Sequence, residues 1–480
     1  MRIGLTTTVL LLSITLPCAA ETLDEAANRL ARAFFTAAAS PDREVHARAA
    51  GELFSEAAIA KATRERLAGV FERIRTTFGA PELHHVEVLS ADLGGGTRYV
   101  AHAFAKNTSG QWLDFQFRLD PGPPPRLQEL AFVANVTEPV ALPSGDIADA
   151  STLRWLDAYV TKLVEREGLS GAILIAAGDR VLYERYFGAA DAKGATAVTA
   201  DTRFSLGSGN KMMTALLAAR LFEKGKLPFG ASMRSLVPAF PRSPHADEVT
   251  VHHLLTHTSG IGEYWTTEYV ANRDRIVTLK DFLPWIAKRG FDFAPGSSYG
   301  YSNSNFILAG LAIEKAGGVS YEKALRSQVF EPLGMSSSSL GIEKNGVFAE
   351  PLVRDGKGWK HSGLSGRGSS AGGAWSTPRD MLRFSRGLRA GKVVSSTMLD
   401  RMTTTKTSGL EDATPYGYGF ILHRYGTVTA YGHGGTAPGV AFDFEYFPKE
   451  DLTFVIMSNQ DNAAYDDLRK NALRLITGQR

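Results

Sequence analysis

At 480 residues, with 44% hydrophobic and 10% aromatic side chains, the chain is long enough for two domains and apolar enough to bury a core in each. Its 53 Lys and Arg nearly balance 50 Asp and Glu, and without a long basic run the composition speaks against a nucleic-acid partner. The single cysteine, Cys18, leaves no internal disulfide to form.

The first twenty residues carry Arg2, an apolar run from Ile3 to Leu16, and the small residues Ala19-Ala20. Such a run is short for a bilayer span and suits a signal peptide cleaved after Ala20. Export is therefore expected, to the periplasm or beyond the cell. Lipidation at Cys18 is the alternative, and Pro17 before it fits a lipobox poorly. No later stretch reads as transmembrane, so residues 21–480 are expected to hold no membrane span.

Residues 21 to about 80 space apolar and charged residues as helices do, for example Leu23, Ala26, Ala27, Leu30 and Phe34. From His84 the period changes to two, which predicts strands at 84–90, 97–106, 111–119 and 127–135. Gly94-Gly95-Gly96 and Asn107 to Gly110 read as the turns between them. Together these make a small α+β domain over 21–140, of a role the sequence does not name. The stretch Glu138 to Asp146 has linker composition, so 141–150 is read as a linker and 151–480 as a second domain.

That domain opens with a helix at about 151–167 and a hairpin, Gly171 to Ala176 and Arg180 to Phe187 around Gly178-Asp179. Residues from about 211 to 400 read as helical and loop-rich. Strands return at 418–424, 427–432, 439–447 and 452–458, before a closing helix to Ile476. The order implies one antiparallel sheet built from both ends of the domain, with a helical lobe inserted.

Three short motifs carry chemistry. Ser208-Gly209-Asn210-Lys211 falls where a turn passes into a long apolar helix, so Ser208 and Lys211 share one face one turn apart. An amine beside a serine hydroxyl takes its proton when neutral and stabilises the alkoxide when charged. The same spacing at Ser320 and Lys323 follows Gly317-Gly318 and reads as a helix N-cap. Tyr301-Ser302-Asn303 lies in a Ser/Asn-rich loop before the apolar run Phe306 to Ala316. His433-Gly434-Gly435-Thr436 lies at the end of an expected strand. Each motif by itself also fits a cap, a loop or a glycine bend. His252, His253 and His257 lack the neighbouring Glu of a metalloprotease and read as a helix end, so no metal and no cofactor are expected.

Taken in order, these motifs resemble the serine β-lactamase and penicillin-binding-protein superfamily over about residues 151 to 480. The similarity is to the branch with class C β-lactamases, D,D-carboxypeptidases, D-aminopeptidases and related esterases. Leu254 to Gly260, Pro295-Gly296, Glu331 to Met335, Ser370 to Gly373 and Tyr416 to Gly419 extend it. The resemblance implies a β-lactamase-like α/β (α+β) fold and a serine hydrolase that forms an acyl-enzyme on Ser208. It makes Lys211 the proton partner and Tyr301 the general base, its phenol placed and its pKa lowered by Lys211. It makes Asn303 a substrate contact and the strand with His433, Gly434 and Gly435 one wall, with an oxyanion hole at the N–H groups of Ser208 and Thr436. His433 departs from the lysine that many relatives hold there. A histidine is mostly neutral at pH 7, so carboxylate capture is weaker. Esterase or D-amino peptidase action on a small ester, amide or peptide is therefore expected ahead of β-lactamase or D,D-carboxypeptidase action. A slow cell-wall-peptide binding protein is the alternative of another class. Oligomeric state is not legible.

Overall fold

Thr22 opens the first helix with a capping box, its side chain accepting from the Glu25 amide while Glu25 returns to the Thr22 amide. From there the computed structural model describes residues 21–92, 97–136, 140–240, 245–356, 358–410 and 413–479. The leader and Cys18, Gly94 to Gly96 and part of the expected linker lie outside the described residues. Contacts group the chain into two units, residues up to 88 with 99–133, and residues from 134 onward with 89–98.

The first unit holds helices α1 (Leu23–Ala39), α2 (Arg43–Leu53), α3 (Glu56–Ala62) and α4 (Arg64–Phe78). They are followed by strands β1 (Glu82–Asp92), β2 (Thr97–Lys106), β3 (Trp112–Asp120) and β4 (Arg126–Val136), paired in sequence order. Helical spacing along α1 turns Ala27, Leu30, Ala31 and Phe34 inward, and strand alternation along β3 does the same for Phe115 and Phe117. Phe34 is fully buried and meets the rings of Phe35, Phe71, Phe115 and Phe117 at centroid distances of 5.6, 4.9, 6.1 and 5.0 Å.

In the second unit α5 (Ala150–Glu167) ends on Gly168 in the left-handed conformation. The hairpin β5 (Gly171–Ala177) and β6 (Arg180–Phe187) follows. Strands β7 (Ile421–Tyr425), β8 (Val428–Ala437), β9 (Val440–Phe447) and β10 (Leu452–Ser458) come from the other end of the chain. Within this unit they order β7-β8-β9-β10-β5-β6, with antiparallel pairs throughout. The expected sheet from both ends is thus present.

Strands β9 and β10 are buried along their whole length, as strands covered on both faces must be. Phe442, Phe444, Val455 and Met457 face the inserted helical lobe. Phe454 and Ile456 face α5 and the closing helix Ala463–Thr477.

Two strand ends differ from expectation. The first begins at Ile421 instead of 418, because Gly419 adopts φ 75° and the Gly417 amide bonds back to Phe420 O at 2.8 Å. The other runs on to Ala437 instead of stopping at 432, with His433 opposite Phe444. Its glycines mark close backbone approach and not termination: a Cβ on Gly432 would lie 1.8 Å from Phe444 O.

Replacing Phe34 by Ala should lower the unfolding free energy by about 3–5 kcal/mol, since a ring is removed from a closed aromatic cluster. A urea melt of the variant against the parent chain measures it; a shift below about 1 kcal/mol would mean that the cluster collapses into the cavity.

Candidate active site

Ser208 lies in a 3-10 turn, Gly207–Asn210, and the apolar helix Lys211–Glu223 begins directly after it. The turn holds the Ser208 hydroxyl at the surface of a cleft while Lys211, one turn on, points into the protein and is fully buried. Lys211 Nζ reaches Ser208 Oγ at 2.9 Å, Asn303 Oδ1 at 2.7 Å and Ala371 O at 2.5 Å.

Those three contacts fix where the protons are. Asn303 Nδ2 donates to Glu263 Oε2 at 3.0 Å, and the Asn303 amide donates to the same oxygen at 2.7 Å. A carboxylate only accepts, so Oδ1 is the end of Asn303 turned to Lys211. Ala371 O also only accepts. A neutral Lys211 amine has two N–H groups, which go to these two oxygens, and its lone pair then faces the one partner able to donate, the Ser208 hydroxyl. Burial makes that neutral form accessible, bringing Lys211 down to about 7, while the charge of Glu263 acts the other way.

Tyr301 stands differently from expectation. Lys211 Nζ lies over its ring at 4.9 Å, and the lysine's hydrogen bonds go elsewhere. The ring is 40% exposed. Burial of the hydroxyl end pushes the phenol above its ordinary range, Tyr299 and Glu263 add to this, and the Ser208 hydroxyl opposes it. The phenol is therefore protonated at neutral pH, and the group titrating near neutrality is Lys211. This reverses the expected division, in which Lys211 lowers Tyr301.

His433 is buried, 2% exposed, and turned into the protein. Its Nδ1 lies 2.6 Å from Gly434 O and its Nε2 lies 3.0 Å from the Tyr416 hydroxyl. The carbonyl only accepts, so Nδ1 carries the proton and Nε2 accepts from Tyr416. Burial, then the charge of Lys211, brings the imidazole down to about 3. It is neutral and both nitrogens are occupied, so it presents no charge to a ligand. Asn303, expected to meet substrate, likewise has both ends engaged, by Lys211 and Glu263.

The strand beyond His433 meets the nucleophile turn backbone to backbone. A Cβ on Gly435 would lie 2.1 Å from Leu206 O and 2.7 Å from Ser208 N, and one on Gly207 would lie 3.2 Å from Thr436 N. The amides of Ser208 and Thr436 thus sit on touching segments, where two donors aimed at one oxygen would stabilise an oxyanion.

Of the expected histidines, His252 pairs through Nδ1 with the Tyr418 hydroxyl at 2.8 Å, and His253 caps its own helix through the Thr250 amide at 3.3 Å. Ser320 is the N-cap of the helix Tyr321–Leu325, accepting from the Lys323 amide at 3.3 Å.

Sequence reasoning missed Glu263 and Ala371 O. A backbone carbonyl has no residue signature, and Glu263 stands 40 positions before Asn303; its only cue is the turn Ser259-Gly260 that brings it back. Asn210 and Thr214 hold the Ala371 loop in place, through Asn210 Nδ2 to Ser369 O at 3.0 Å and Thr214 Oγ1 to Ser370 O at 2.7 Å.

The cleft over Ser208 encloses about 630 Å³. Trp265, Tyr269, Phe282, Leu340 and Trp375 line it, together with Arg273 and Arg367. The Arg273 guanidinium donates to Gly363 O, and Arg367 Nη1 donates to Val277 O at 3.0 Å.

A reactive serine at a helix start, a buried amine and a facing strand define the serine β-lactamase fold. Residues 156–479 match the Beta-lactamase family, and the chain belongs to it. It is 26% identical to penicillin-binding protein 4* of Bacillus subtilis over 359 residues, 68% of this chain and 76% of that protein. It is 35% identical to esterase EstB of Burkholderia gladioli over 217 residues, 42% of this chain and 55% of that one. The crystal structure of a penicillin-binding protein from Bacillus halodurans superposes with a TM-score of 0.59 at 30% identity, covering 66% of this chain and 99% of that one. The chain is a β-lactamase-related serine hydrolase.

Gly435→Ala should reduce ester hydrolysis by about a hundredfold or more, the scale of one lost oxyanion donor, because the added Cβ drives the strand off Ser208 N. Steady-state kinetics beside a circular-dichroism melt separates this from unfolding; a folded variant of full activity would remove the oxyanion hole from this place.

Proposed function

We propose that this hydrolase cleaves small, uncharged esters or amides with a bulky apolar acyl group, through an acyl-enzyme on Ser208. The observation that carries the reading is the lone pair of neutral Lys211, left to the Ser208 hydroxyl by two partners that only accept. Ser208 Oγ attacks the carbonyl carbon as its proton passes to Lys211 Nζ. The developing oxyanion lies at the N–H groups of Ser208 and Thr436. The Tyr301 phenol, protonated and beside Ser208, passes a proton to the leaving oxygen or nitrogen and recovers one from Lys211. Water then attacks the acyl carbonyl by the same groups in reverse, releasing acid and restoring Ser208.

The substrate class follows from the walls. His433 is neutral and occupied where lysine-bearing relatives hold a fixed cation, which disfavours substrates recognised by a carboxylate beside the scissile bond. Trp265, Tyr269 and Phe282 form a packed aromatic wall, with Tyr269 against Trp265 at 5.4 Å and against Phe282 at 5.9 Å between centroids. Relatives named as an esterase and as D-aminopeptidases fit this class. The leader-like residues 1–20 support export to the periplasm or beyond as the protein's setting.

Ser208→Ala should abolish turnover of p-nitrophenyl butyrate, by about a thousandfold or more, and should lose labelling by a fluorophosphonate. Equal turnover in both proteins would sink the serine mechanism. The pH dependence has a definite sign: Lys211 must be neutral to accept the proton, and its neutral fraction grows as pH rises through about 7. Values of kcat/KM should therefore climb through that region and level off above it. A pH profile already flat from pH 5 to 9 would contradict a base at Lys211.

A further inference from the structure

His257 has a φ of 58°, one of three non-glycine residues in the left-handed region among the described residues. A residue keeps that conformation where its surroundings over-determine it. Its side chain is fully buried, and Nε2 has no hydrogen-bond partner. Nδ1 accepts from the Ser302 amide at 3.2 Å and lies 3.3 Å from Asn305 Nδ2. The ring proton is therefore on the unpartnered Nε2. Burial holds this imidazole neutral, far below its ordinary range, with the charge of Lys211 and then His433 acting in the same direction.

The three contacts that His257 makes with the catalytic loop all bracket one residue. Its carbonyl accepts the Gly300 amide at 2.9 Å, Nδ1 accepts the Ser302 amide, and its ring lies 4.2 Å from the Tyr301 ring at 33° between planes. Tyr416 closes the other side of the imidazole at 4.9 Å. Packing alone explains neither the buried N–H nor the backbone: phenylalanine would fill the space without a polar atom, and glycine would take the φ without strain.

We propose that His257 is a positioning residue, which clamps Tyr301 by both flanking peptide groups and by its ring, and so holds the phenol beside Ser208 and over Lys211. The proposal rests on the reading of Ser208, Lys211 and Tyr301 as the reacting set. It deepens that reading, because the Tyr301 ring is part of what keeps water from Lys211. The titratable groups around the amine are Glu263, Tyr301, His257 and His433. Releasing Tyr301 admits solvent, which favours the charged lysine and moves its titration upward.

Two variants separate positioning from packing. His257→Phe keeps a ring and removes the acceptor, while His257→Asn keeps an acceptor near the place of Nδ1 and a side chain that tolerates positive φ. Rates are taken with p-nitrophenyl butyrate per active site, counted by fluorophosphonate titration, so that misfolded protein does not enter. The expected result for His257→Phe is a kcat lower by about tenfold or more with KM changed by less than about threefold. Its acid limb should move to higher pH by about half a unit or more, and His257→Asn should recover part of the kcat. If both variants keep the parental kcat per titrated site and the parental acid limb, losing only melting temperature, His257 is a packing residue and the proposal is wrong. A parental chain that does not label at Ser208 is a different failure, which removes the catalytic reading and the clamp with it.

Discussion

An amine cut off from water sets the terms for the catalytic unit. Lys211 is fully buried, and its charge is held only by the neighbours that reach Nζ. Burial lowers the cost of the neutral form relative to the charged one, and the acceptor-only chemistry of Asn303 Oδ1 and Ala371 O orients it. Other parts of the fold follow from this need. Glu263 orients Asn303, Asn210 and Thr214 hold the carbonyl loop, and the aromatic rings of Tyr301 and Phe306 cover the amine at 4.9 and 5.6 Å.

The second constraint is steric and lies in the backbone. The nucleophile turn rests on β8 so closely that no side chain fits between Gly435 and Leu206. The sheet supplies that contact because both its faces are packed, by the helical lobe on one side and by two helices on the other. A strand fixed on both faces cannot drift from the turn that it backs. The same rigidity turns His433 inward, where Tyr416 and a carbonyl hold it neutral, and this gives the cleft its uncharged character next to Ser208.

Much of the architecture was legible as period and punctuation. The helical spacing from Leu23, the period-two stretches of the first unit and the hairpin around Gly178 all appear as elements at nearly the expected places. Boundaries failed where glycine has two meanings. At Gly419 a positive φ delays the strand, whereas at Gly432 to Gly435 the missing side chains let the strand continue against its neighbours. A sequence records the glycine and not which use is made of it.

The sequence by itself determined the residue types that can react, because Ser208 and Lys211 are one helical turn apart and local geometry alone brings them together. Family likeness could add Tyr301, Asn303 and the His433 strand, but not their electrostatic roles. Only the tertiary structure decided those, since a pKa depends on burial and on partners distant in the chain. Glu263, the carbonyl of Ala371 and the ring of His257 reach the site from three separate segments, and none of them leaves a local signal in the sequence. They make Lys211 the group that titrates near neutral pH and leave Tyr301 protonated, because desolvation disfavours the charged forms of both and no cation bonds to the phenol.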